Sequence, residues 1–351
     1  MPPSNVSGRG KCQLAFITAV GAALLAACGG SAGTTPSPTT STGSLGCRLA
    51  PGAAPTTTTI NPLDGPVARY AIGGGPTGLI LGPDGNLWFS DTGGSRSGRL
   101  TPAGILTWWD LAGGMPGFLV AAPNGTVWVP KEATGSIARI TPDGVLAECS
   151  LPTRTGTPYG ATVGPDGNVW VVEMAASRVA RVSPTGAVKE FVVPGGGAPV
   201  YITTGPDGNM WFTEASGGEI GRLTTAGAIT TYPLPNASGG EGSITTGPDG
   251  ALWFTEFTQG AIGRITTSGE VKEFPIPASA GSKPNGIVSG PDGALWFAES
   301  GTNMIGRITV NGVITQRQAV SDWPDQLVFT PDGGLWVTTF RTGDLVRIAR
   351  P

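Results

Sequence analysis

Short apolar runs separated by sharp polar turns repeat along most of the chain. A turn of the form Gly-Pro-Asp-Gly follows one apolar run and precedes a second run that contains a Trp, as in residues 78–89. Pro at the second position of such a turn presets φ, and Gly at the fourth position accepts the positive φ that a sharp reversal needs. The pattern therefore predicts one β-hairpin per repeat, and no stretch of this region has the period of a helix.

The turn and its Trp occur seven times, at intervals of 40 to 43 residues. The seven residues are Trp88, Trp128, Trp170, Trp211, Trp253, Trp296 and Trp336. Two further apolar runs complete each unit, as at 220–224 and 188–194. Four short strands in roughly 42 residues are typical of a propeller blade. The sequence predicts an all-β fold, a seven-bladed β-propeller with four-stranded blades over residues 66–351.

The two ends of the repeat array predict how the ring closes. The last unit stops at its third strand, within residues 345–351, and so lacks an outer strand. Residues 67–72, ahead of the first unit, resemble the outer strand of the fifth unit at 271–276. We expect this N-terminal strand to complete the last blade, because open end blades would expose strand edges and apolar faces. The repeated Trp is expected to pack blade against blade.

The first 65 residues have a different composition. Two basic residues precede an apolar run over 14–27 that is too short to span a membrane and ends in Leu-Ala-Ala-Cys. This resembles a bacterial lipoprotein signal over residues 1–28 with Cys28 as the lipidated residue, and an ordinary signal with a chance Cys is the alternative. Residues 29–65 are rich in Ser, Thr, Pro and Gly and are predicted to be a flexible tether. We expect an extracytoplasmic protein that reaches the bacterial cell membrane through its lipid alone.

The amino-acid composition excludes several kinds of catalytic and metal-binding site. The chain of 351 residues contains 0 His, which excludes a Ser-His-Asp triad, a Cys-His dyad and any His-ligated metal. A net charge of -3 and a pI of 5.1 argue against a nucleic-acid partner. Outside the cytoplasm, Cys47 and Cys149 could form a disulfide or remain two free thiols. Their spacing in the sequence does not show whether the two Cα atoms come within the distance that a disulfide requires.

The hairpin register predicts two rows of residues at one rim of the channel. The first row takes the residue five before each turn: Thr77, Gly117, Tyr159, Val200, Gly242, Asn285 and Asp325. The second row takes the residue three after each Trp: Asp91, Lys131, Glu173, Glu214, Glu256, Glu299 and Thr339. The four Glu could form a carboxylate ring for a divalent cation. We prefer hydrogen bonding within each blade, with Arg222, Arg264 and Arg307 as plausible partners, because the repeats share these residues.

Residues that break the repeat are the stronger candidates for ligand binding. They are Tyr159, Glu241, Asn285, Asp322, Trp323 and Asp325. A subset, Glu256, Asn285, Glu299 and Asp325, could hold Mg²⁺ or Ca²⁺, which prefer oxygen ligands. The alternative for this subset is polar solvation of the channel mouth.

The repeat Gly-Pro-Asp-Gly-x-Leu-Trp-Phe-x-Glu, followed by Ile-Gly-Arg-Ile-Thr, resembles that of the streptogramin B lyases (virginiamycin B lyases). Residues 247–310 carry the resemblance best, and it covers about residues 66–351. It implies a seven-bladed propeller that opens a cyclic depsipeptide by Mg²⁺-assisted elimination. The family's catalytic His falls at Asp325, and its other site positions, a His and two Glu, fall at Asn285, Trp323 and Thr339. All four positions depart from the family pattern, which leaves Asp325 as a weak candidate for the catalytic base.

Two functions therefore stay open. One is a tethered, monomeric propeller that binds a small molecule or peptide at one mouth of its channel without catalysis. The other is an enzyme that opens a depsipeptide or lactone with carboxylates and a divalent ion. An Asp with an ordinary pKa of about 4 is a weak base at neutral pH, so the sequence favours binding.

Overall fold

A computed structural model of the protein describes residues 47–50, 54–62, 67–236, 240–277, 281–318 and 322–349. These residues form seven antiparallel sheets that follow one another around a ring. The helical elements within these ranges are two short 3₁₀ turns, Met174–Ala176 and Pro194–Gly196. No helix in the described part of the chain is long and apolar enough to cross a membrane. The predicted signal over 1–28, including Cys28, lies outside the described residues.

Each blade is a four-stranded meander that runs from the channel to the outer edge. Blade 1 consists of Pro76–Leu81, Leu87–Asp91, Arg96–Leu100 and Ile105–Asp110. Blade 2 consists of Val120–Ala121, Val127–Lys131, Ser136–Ile140 and Leu146–Ser150. Blade 3 consists of Pro158–Val163, Val169–Glu173, Arg178–Val182 and Val188–Val192. Blade 4 consists of Pro199–Thr204, Met210–Glu214, Glu219–Leu223 and Ile229–Pro233. Blade 5 consists of Glu241–Thr246, Leu252–Glu256, Ala261–Ile265 and Val271–Pro275. Blade 6 consists of Pro284–Ser289, Ala294–Glu299, Met304–Thr309 and Ile314–Gln318. Blade 7 consists of Pro324–Phe329, Leu335–Thr339, Asp344–Ile348 and Ala68–Ala71.

The ring closes as the sequence predicted. Ala68–Ala71 pairs antiparallel with Asp344–Ile348, so that Tyr70 faces Leu345. The amides of Ile72 and Gly73 both donate to the carbonyl of Gly343, at 3.1 and 3.0 Å. One sheet therefore contains strands from both ends of the propeller, and the predicted closure by an N-terminal strand is confirmed.

Part of the predicted tether is instead structured. Arg48–Leu49 adds a fifth strand to blade 2, and Thr56–Thr59 adds a fifth strand to blade 1. Cys47 forms a disulfide with Cys149, which lies in the outer strand of blade 2 and is fully buried. The prediction of a flexible tether over all of 29–65 is therefore wrong for these two stretches, which lie against the sides of two blades.

The repeated Trp residues are the contacts between neighbouring blades. All seven are at most 8% exposed. Each lies in an apolar cluster with residues of the following blade; Trp170, for example, packs with Met210 and Phe212 of blade 4. Trp336 packs with Leu79 and Phe89 of blade 1, which continues the pattern across the closure. The predicted structural role of these residues is confirmed.

The Asp of the hairpin turn holds this Trp in place. In blade 4, Trp211 Nε1 donates to Asp207 Oδ1 at 3.0 Å, and Arg222 Nε donates to Asp207 Oδ2 at 2.8 Å. Partial burial opposes ionisation, but the hydrogen bonds from Trp211 and Arg222 lower the pKa of Asp207 to about 2. Blades 5 and 6 repeat the arrangement. Arg222, Arg264 and Arg307 therefore bind the turn Asp and not, as we had expected, the second-row Glu.

Packing inside each blade explains the Gly of the third strand. In blade 5, Gly263 lies opposite Phe254, and a Cβ on Gly263 would stand 2.1 Å from the Phe ring. Blades 1, 4 and 6 have the same Phe-Gly pair. Blades 2, 3 and 7 have Val in place of Phe and Ala or Val in place of Gly. The combined size of the two side chains is therefore limited, because the interior of the blade is close-packed.

We expect the closing strand to matter far more than the fifth strands. A chain that begins at residue 73 loses the outer strand of blade 7, whereas a chain that begins at residue 60 loses only the fifth strands and the disulfide. Exposing the apolar surface beneath Tyr70 and Ile72 costs about 3–5 kcal/mol, or roughly 10 °C in melting temperature. The measurement is thermal unfolding of both truncated chains, and equal melting temperatures would contradict the assigned closure.

A candidate ligand site at the mouth of the channel

The candidate site lies on the face where the innermost strands begin, here called the upper face. A β-bulge interrupts the first pair of strands in six blades; in blade 3, Pro158 pairs with Glu173 and the next paired residue is Ala161. In blade 1, Pro76 pairs with Asp91, and the bulge places Thr77 and Gly78 between this pair and the next, Leu79 with Phe89. The bulge allows two consecutive residues of a strand to contribute to the channel wall.

One side of the mouth is aromatic. Phe118, Tyr159 and Tyr201, from blades 2 to 4, form a cluster with ring centroids 4.7 to 5.7 Å apart. All three rings are half-buried. Tyr159 was predicted, whereas Phe118 and Tyr201 each lie one residue beyond the predicted row.

The other side of the mouth is polar, and two of its three hydrogen bonds join blades that are not neighbours. Tyr201 Oη of blade 4 donates to Asn285 Oδ1 of blade 6 at 3.2 Å. Asn285 Nδ2 donates to Asp325 Oδ1 of blade 7. Gln326 Nε2 of blade 7 donates to Ser243 Oγ of blade 5 at 3.2 Å. These side chains form a floor, so a ligand at this mouth would rest on them.

Hydroxyl groups on the second strands position this floor. Thr255 Oγ1 of blade 5 donates to the carbonyl of Asn285 at 2.6 Å. Thr338 Oγ1 of blade 7 accepts from the amide of Gln326 at 2.9 Å. Both bonds hold the backbone of a bulged strand, so the orientation of the floor residues depends on the blades around them.

Two carboxyl groups near the aromatic cluster have raised pKa values. Burial raises the pKa of Asp325, which is 5% exposed, to about 7, although a hydrogen bond with Gln326 opposes the shift. Burial likewise raises the pKa of Glu132 to about 7. Burial and the charges of Glu132 and Asp325 raise the pKa of Tyr159, which keeps its hydroxyl protonated. Sequence reasoning missed Glu132, because it follows the second row by one residue and nothing in the repeat marks it.

The second-row residues lie inside their blades. All seven are at most 2% exposed. Asp91 accepts from the amides of Gly75 and Gly94 and from Arg96, while Glu299 accepts from Gln316 and Thr302. Burial, with a contribution from the charge of Glu190, raises the pKa of Glu173 to about 8. Glu299 agrees with the preferred interpretation of hydrogen bonding within the blade, with partners other than the predicted Arg residues, whereas neither carboxyl oxygen of Glu173 has a hydrogen-bond partner among the described residues.

The four residues predicted as metal ligands do not meet at one point. Glu256 and Glu299 are buried in blades 5 and 6, whereas Asn285 and Asp325 bind each other at the mouth. In the part of the chain that the structure describes, no three Cys, Asp or Glu residues are grouped as metal ligands.

The positions implied by the family resemblance do not form an Mg²⁺ site either. An indole such as that of Trp323 offers no oxygen. Thr339 Oγ1 is 3.2 Å from the carbonyl of Asp344, to which it donates, and is also bonded to Thr342. The residues present at these positions therefore do not fit the ion.

The remaining predicted residues lie on the rim. Asp322 and Trp323, in the loop before blade 7, have φ values of 98° and 57°. The ring of Trp323 lies between two cations, with Arg341 4.6 Å and Lys283 5.7 Å from its centroid. Glu241 opens the innermost strand of blade 5 opposite Glu256, and its side chain is outside the described parts.

The protein is a seven-bladed β-propeller, and its candidate ligand site at the mouth of the channel consists of residues that break the repeat. The chain belongs to the virginiamycin B lyase family, which it matches over residues 60–198 and 190–350. No curated protein sequence matches the chain.

Two solved structures of streptogramin B lyases support the same family relationship. A catalytically inactive virginiamycin B lyase from Staphylococcus aureus, crystallised with quinupristin, is 33% identical with a TM-score of 0.75 and covers 84% of this chain and 98% of its own. A streptogramin B lyase is 31% identical with a TM-score of 0.73 and covers 84% and 97%. The extracellular domain of a putative two-component system from B. thetaiotaomicron shares the fold at 14% identity and a TM-score of 0.67, over 83% of this chain and 43% of its own.

The raised pKa of Asp325 predicts a pH-dependent stability. The folded chain keeps a proton on Asp325 up to about pH 7 that the unfolded chain loses near pH 4, so this group destabilises the fold progressively between those values. Asp325→Asn removes the titration, and its stability relative to the unmodified protein should rise by up to about 4 kcal/mol from pH 4 to pH 7. Urea unfolding at several pH values measures this. The exposed Asp110→Asn serves as control, and parallel curves for Asp325→Asn would contradict the assignment.

Proposed function

We propose that this protein binds a small molecule or peptide on the floor of the upper-face mouth. The observation that carries the proposal is the pairing of an aromatic cluster with a hydrogen-bonded polar chain, Tyr201 to Asn285 to Asp325, at residues that the blades do not share. Half-buried rings beside oriented amide and carboxyl groups suit a ligand with both apolar and polar parts. The blades supply the scaffold, and these few residues supply the selectivity.

The relatives suggest the ligand class. The Staphylococcus aureus enzyme was crystallised with quinupristin, and its chain aligns with this one over nearly its whole length. A cyclic depsipeptide carries amides and an ester, which the polar side of this mouth could contact, and its apolar side chains could pack on the aromatic side. We therefore take a depsipeptide or related peptide as the first ligand to test.

A second candidate function is the opening of such a ring by elimination. Asp325 favours it, because burial brings the pKa of this carboxyl to about 7 and so makes it a far better base than an ordinary Asp. In this reaction the carboxylate takes a proton α to a carbonyl, a C–C double bond forms, and the ester C–O bond on the neighbouring carbon breaks. Tyr201 is the nearby donor for the leaving oxygen, since its hydroxyl reaches Asn285, which in turn binds Asp325.

One experiment separates binding from catalysis. Purified protein is titrated with quinupristin by calorimetry, and the recovered ligand is analysed by liquid chromatography with mass spectrometry. Our proposal predicts binding with unchanged ligand. A product with a new retention time and the original mass would indicate elimination, and a gain of one water would indicate hydrolysis.

The aromatic side should control the affinity. We expect Tyr159→Ala to weaken binding about tenfold, because a ring contact contributes about 1–1.5 kcal/mol, whereas Tyr159→Phe keeps the ring and should bind almost as well. Equal affinity of all three proteins would remove the mouth as the site.

We further propose that the propeller is extracytoplasmic and held at the membrane by a lipid on Cys28. The basic, apolar and small-residue segments of 1–28 support this, and so does the Cys47–Cys149 disulfide, since such bonds persist mainly in oxidising compartments. Cys28→Ala should release the protein from the membrane fraction, as measured by immunoblotting of fractionated cells. Cys12→Ala is the matched control, and retention of the Cys28 variant would contradict the anchor.

A further inference from the structure

A cleft lies on the upper face between blades 5 and 6. One wall is the loop after the second strand of blade 5, and the other is the loop that enters the innermost strand of blade 6. The cleft has a volume of about 180 Å³ and is lined by Phe257, Thr258, Gly260, Gly281, Ser282 and Lys283. A cavity of this size holds a group as large as a benzene ring, so the cleft can take one small group of a ligand.

The loop that enters blade 6 is held firmly by its own blade. The carbonyls of Ser282 and Lys283 accept from the amides of Gly301 and Ser300, at 3.0 and 3.2 Å. A Cβ on Gly301 would stand 1.7 Å from the carbonyl oxygen of Gly281, so only Gly permits this approach of the two backbones. The side chains of Ser282 and Lys283 therefore project from a backbone whose position is fixed.

The ammonium of Lys283 gives the cleft a positive charge. Lys283 Nζ is 5.9 Å from the ring centroid of Phe257 and 5.7 Å from that of Trp323. In the described ranges of the chain, Lys283 has no ion pair with a carboxylate, and Asp322 of the neighbouring loop lies 4.0 Å from Arg341 instead. Aromatic rings attract an ammonium group but do not neutralise it, so this side of the cleft favours an anion.

The hydroxyl of Ser282 is the second polar group of the cleft. Ser282 is 1% exposed, and its Oγ has no hydrogen-bond partner among the described residues. A buried hydroxyl of this kind costs free energy, because it has lost water without gaining an acceptor from the protein. An oxygen acceptor that enters the cleft beside Ser282 would remove this cost.

The cleft adjoins the floor of the mouth. Pro284 begins the innermost strand of blade 6; Lys283 precedes it at the cleft, and Asn285 follows it on the floor. Two residues of extended chain span about 7 Å. A ligand of the size of a dipeptide is therefore long enough to contact Asn285 and Lys283 together.

We propose that this cleft binds the carboxylate of a peptide whose body lies on the floor of the mouth. The carboxylate accepts hydrogen bonds from the Lys283 ammonium and the Ser282 hydroxyl, and Phe257 packs against the carbon atoms next to it. This inference rests on the proposed function, because it names a charged group of the ligand that the mouth takes. A linear peptide carries such a group at its C-terminus, whereas ring closure through that carboxyl removes it.

The test compares N-acetylphenylalanylglycine with its C-terminal amide by calorimetry at about pH 6. At this pH the peptide carboxylate is ionised, while Asp325, with a pKa of about 7, keeps its proton and leaves the floor uncharged. We expect the acid to bind about tenfold more tightly than the amide, because only the acid gains charge-assisted hydrogen bonds. Raising the salt concentration from about 0.02 to about 0.5 M should weaken binding of the acid and leave that of the amide unchanged.

Substitutions in the cleft assign the preference to its two polar groups. Lys283→Gln should abolish the preference for the acid, whereas Lys283→Arg keeps the charge and should retain most of it. Ser282→Ala should weaken binding of the acid about threefold without lowering the melting temperature, because its hydroxyl has no partner to lose in the fold. Lys272→Gln, which removes an exposed Lys from the outer strand of blade 5, is the matched control and should bind as the unmodified protein does.

Equal affinity for the acid and the amide, or an undiminished preference in Lys283→Gln, would overturn the inference. Measurements with quinupristin separate it from the proposed function. If quinupristin binds and depends on Tyr159 while acid and amide bind equally, the cleft does not select a carboxylate and the binding function stands. If the acid binds through Lys283 but Tyr159→Ala has no effect and quinupristin does not bind, the cleft binds carboxylates by itself and the proposed function is wrong.

Discussion

The contact on which the rest of this structure depends is the Trp of each blade, held by the Asp of its own turn and buried against the next blade. Trp211 illustrates it: Asp207 accepts from the indole and from Arg222, and the ring packs with Leu252 and Phe254 of blade 5. The hydrogen bonds orient a large apolar side chain, and burial of that side chain between sheets supplies the cohesion. Because each blade needs a following blade to cover its Trp, the array is stable only as a closed ring.

Closure explains why an N-terminal strand is incorporated in the last blade. Ala68–Ala71 covers the edge of Asp344–Ile348, and Trp336 then packs against blade 1 as every other Trp packs against its neighbour. The disulfide between Cys47 and Cys149 joins the segment that precedes this strand to the side of blade 2. Residues 47–49 are therefore fixed at the outer edge of blade 2.

The mouth departs from the family pattern, whereas the scaffold around it retains that pattern. The virginiamycin B lyase family pattern is retained in the turns, the Trp residues and the third strands, where it determines packing. At the mouth, the positions that the family resemblance assigns to His and Glu hold Asn285, Asp325, Trp323 and Thr339. Of these, Asn285 and Asp325 belong to the hydrogen-bonded floor, and burial brings the pKa of Asp325 to about 7, whereas Trp323 lies on the rim and Thr339 inside blade 7.

The sequence alone determined the number of blades, the turn chemistry, the structural role of the Trp residues and the closing strand, because these follow from short-range patterns repeated seven times. It also identified Tyr159, Asn285 and Asp325 as residues that break the repeat. The sequence did not identify Tyr201 because a bulge in blade 4 shifts which residue of the strand reaches the channel, and bulges depend on the pairing of whole strands. Phe118 lies in a part of blade 2 that is paired only through isolated bridges. Only the tertiary structure decided that Arg222 binds the turn Asp, that residues 56–59 form a strand, and that burial raises the pKa of Glu132 and Asp325. Burial and proximity between distant blades are properties of the assembled ring, and no local pattern in the chain encodes them.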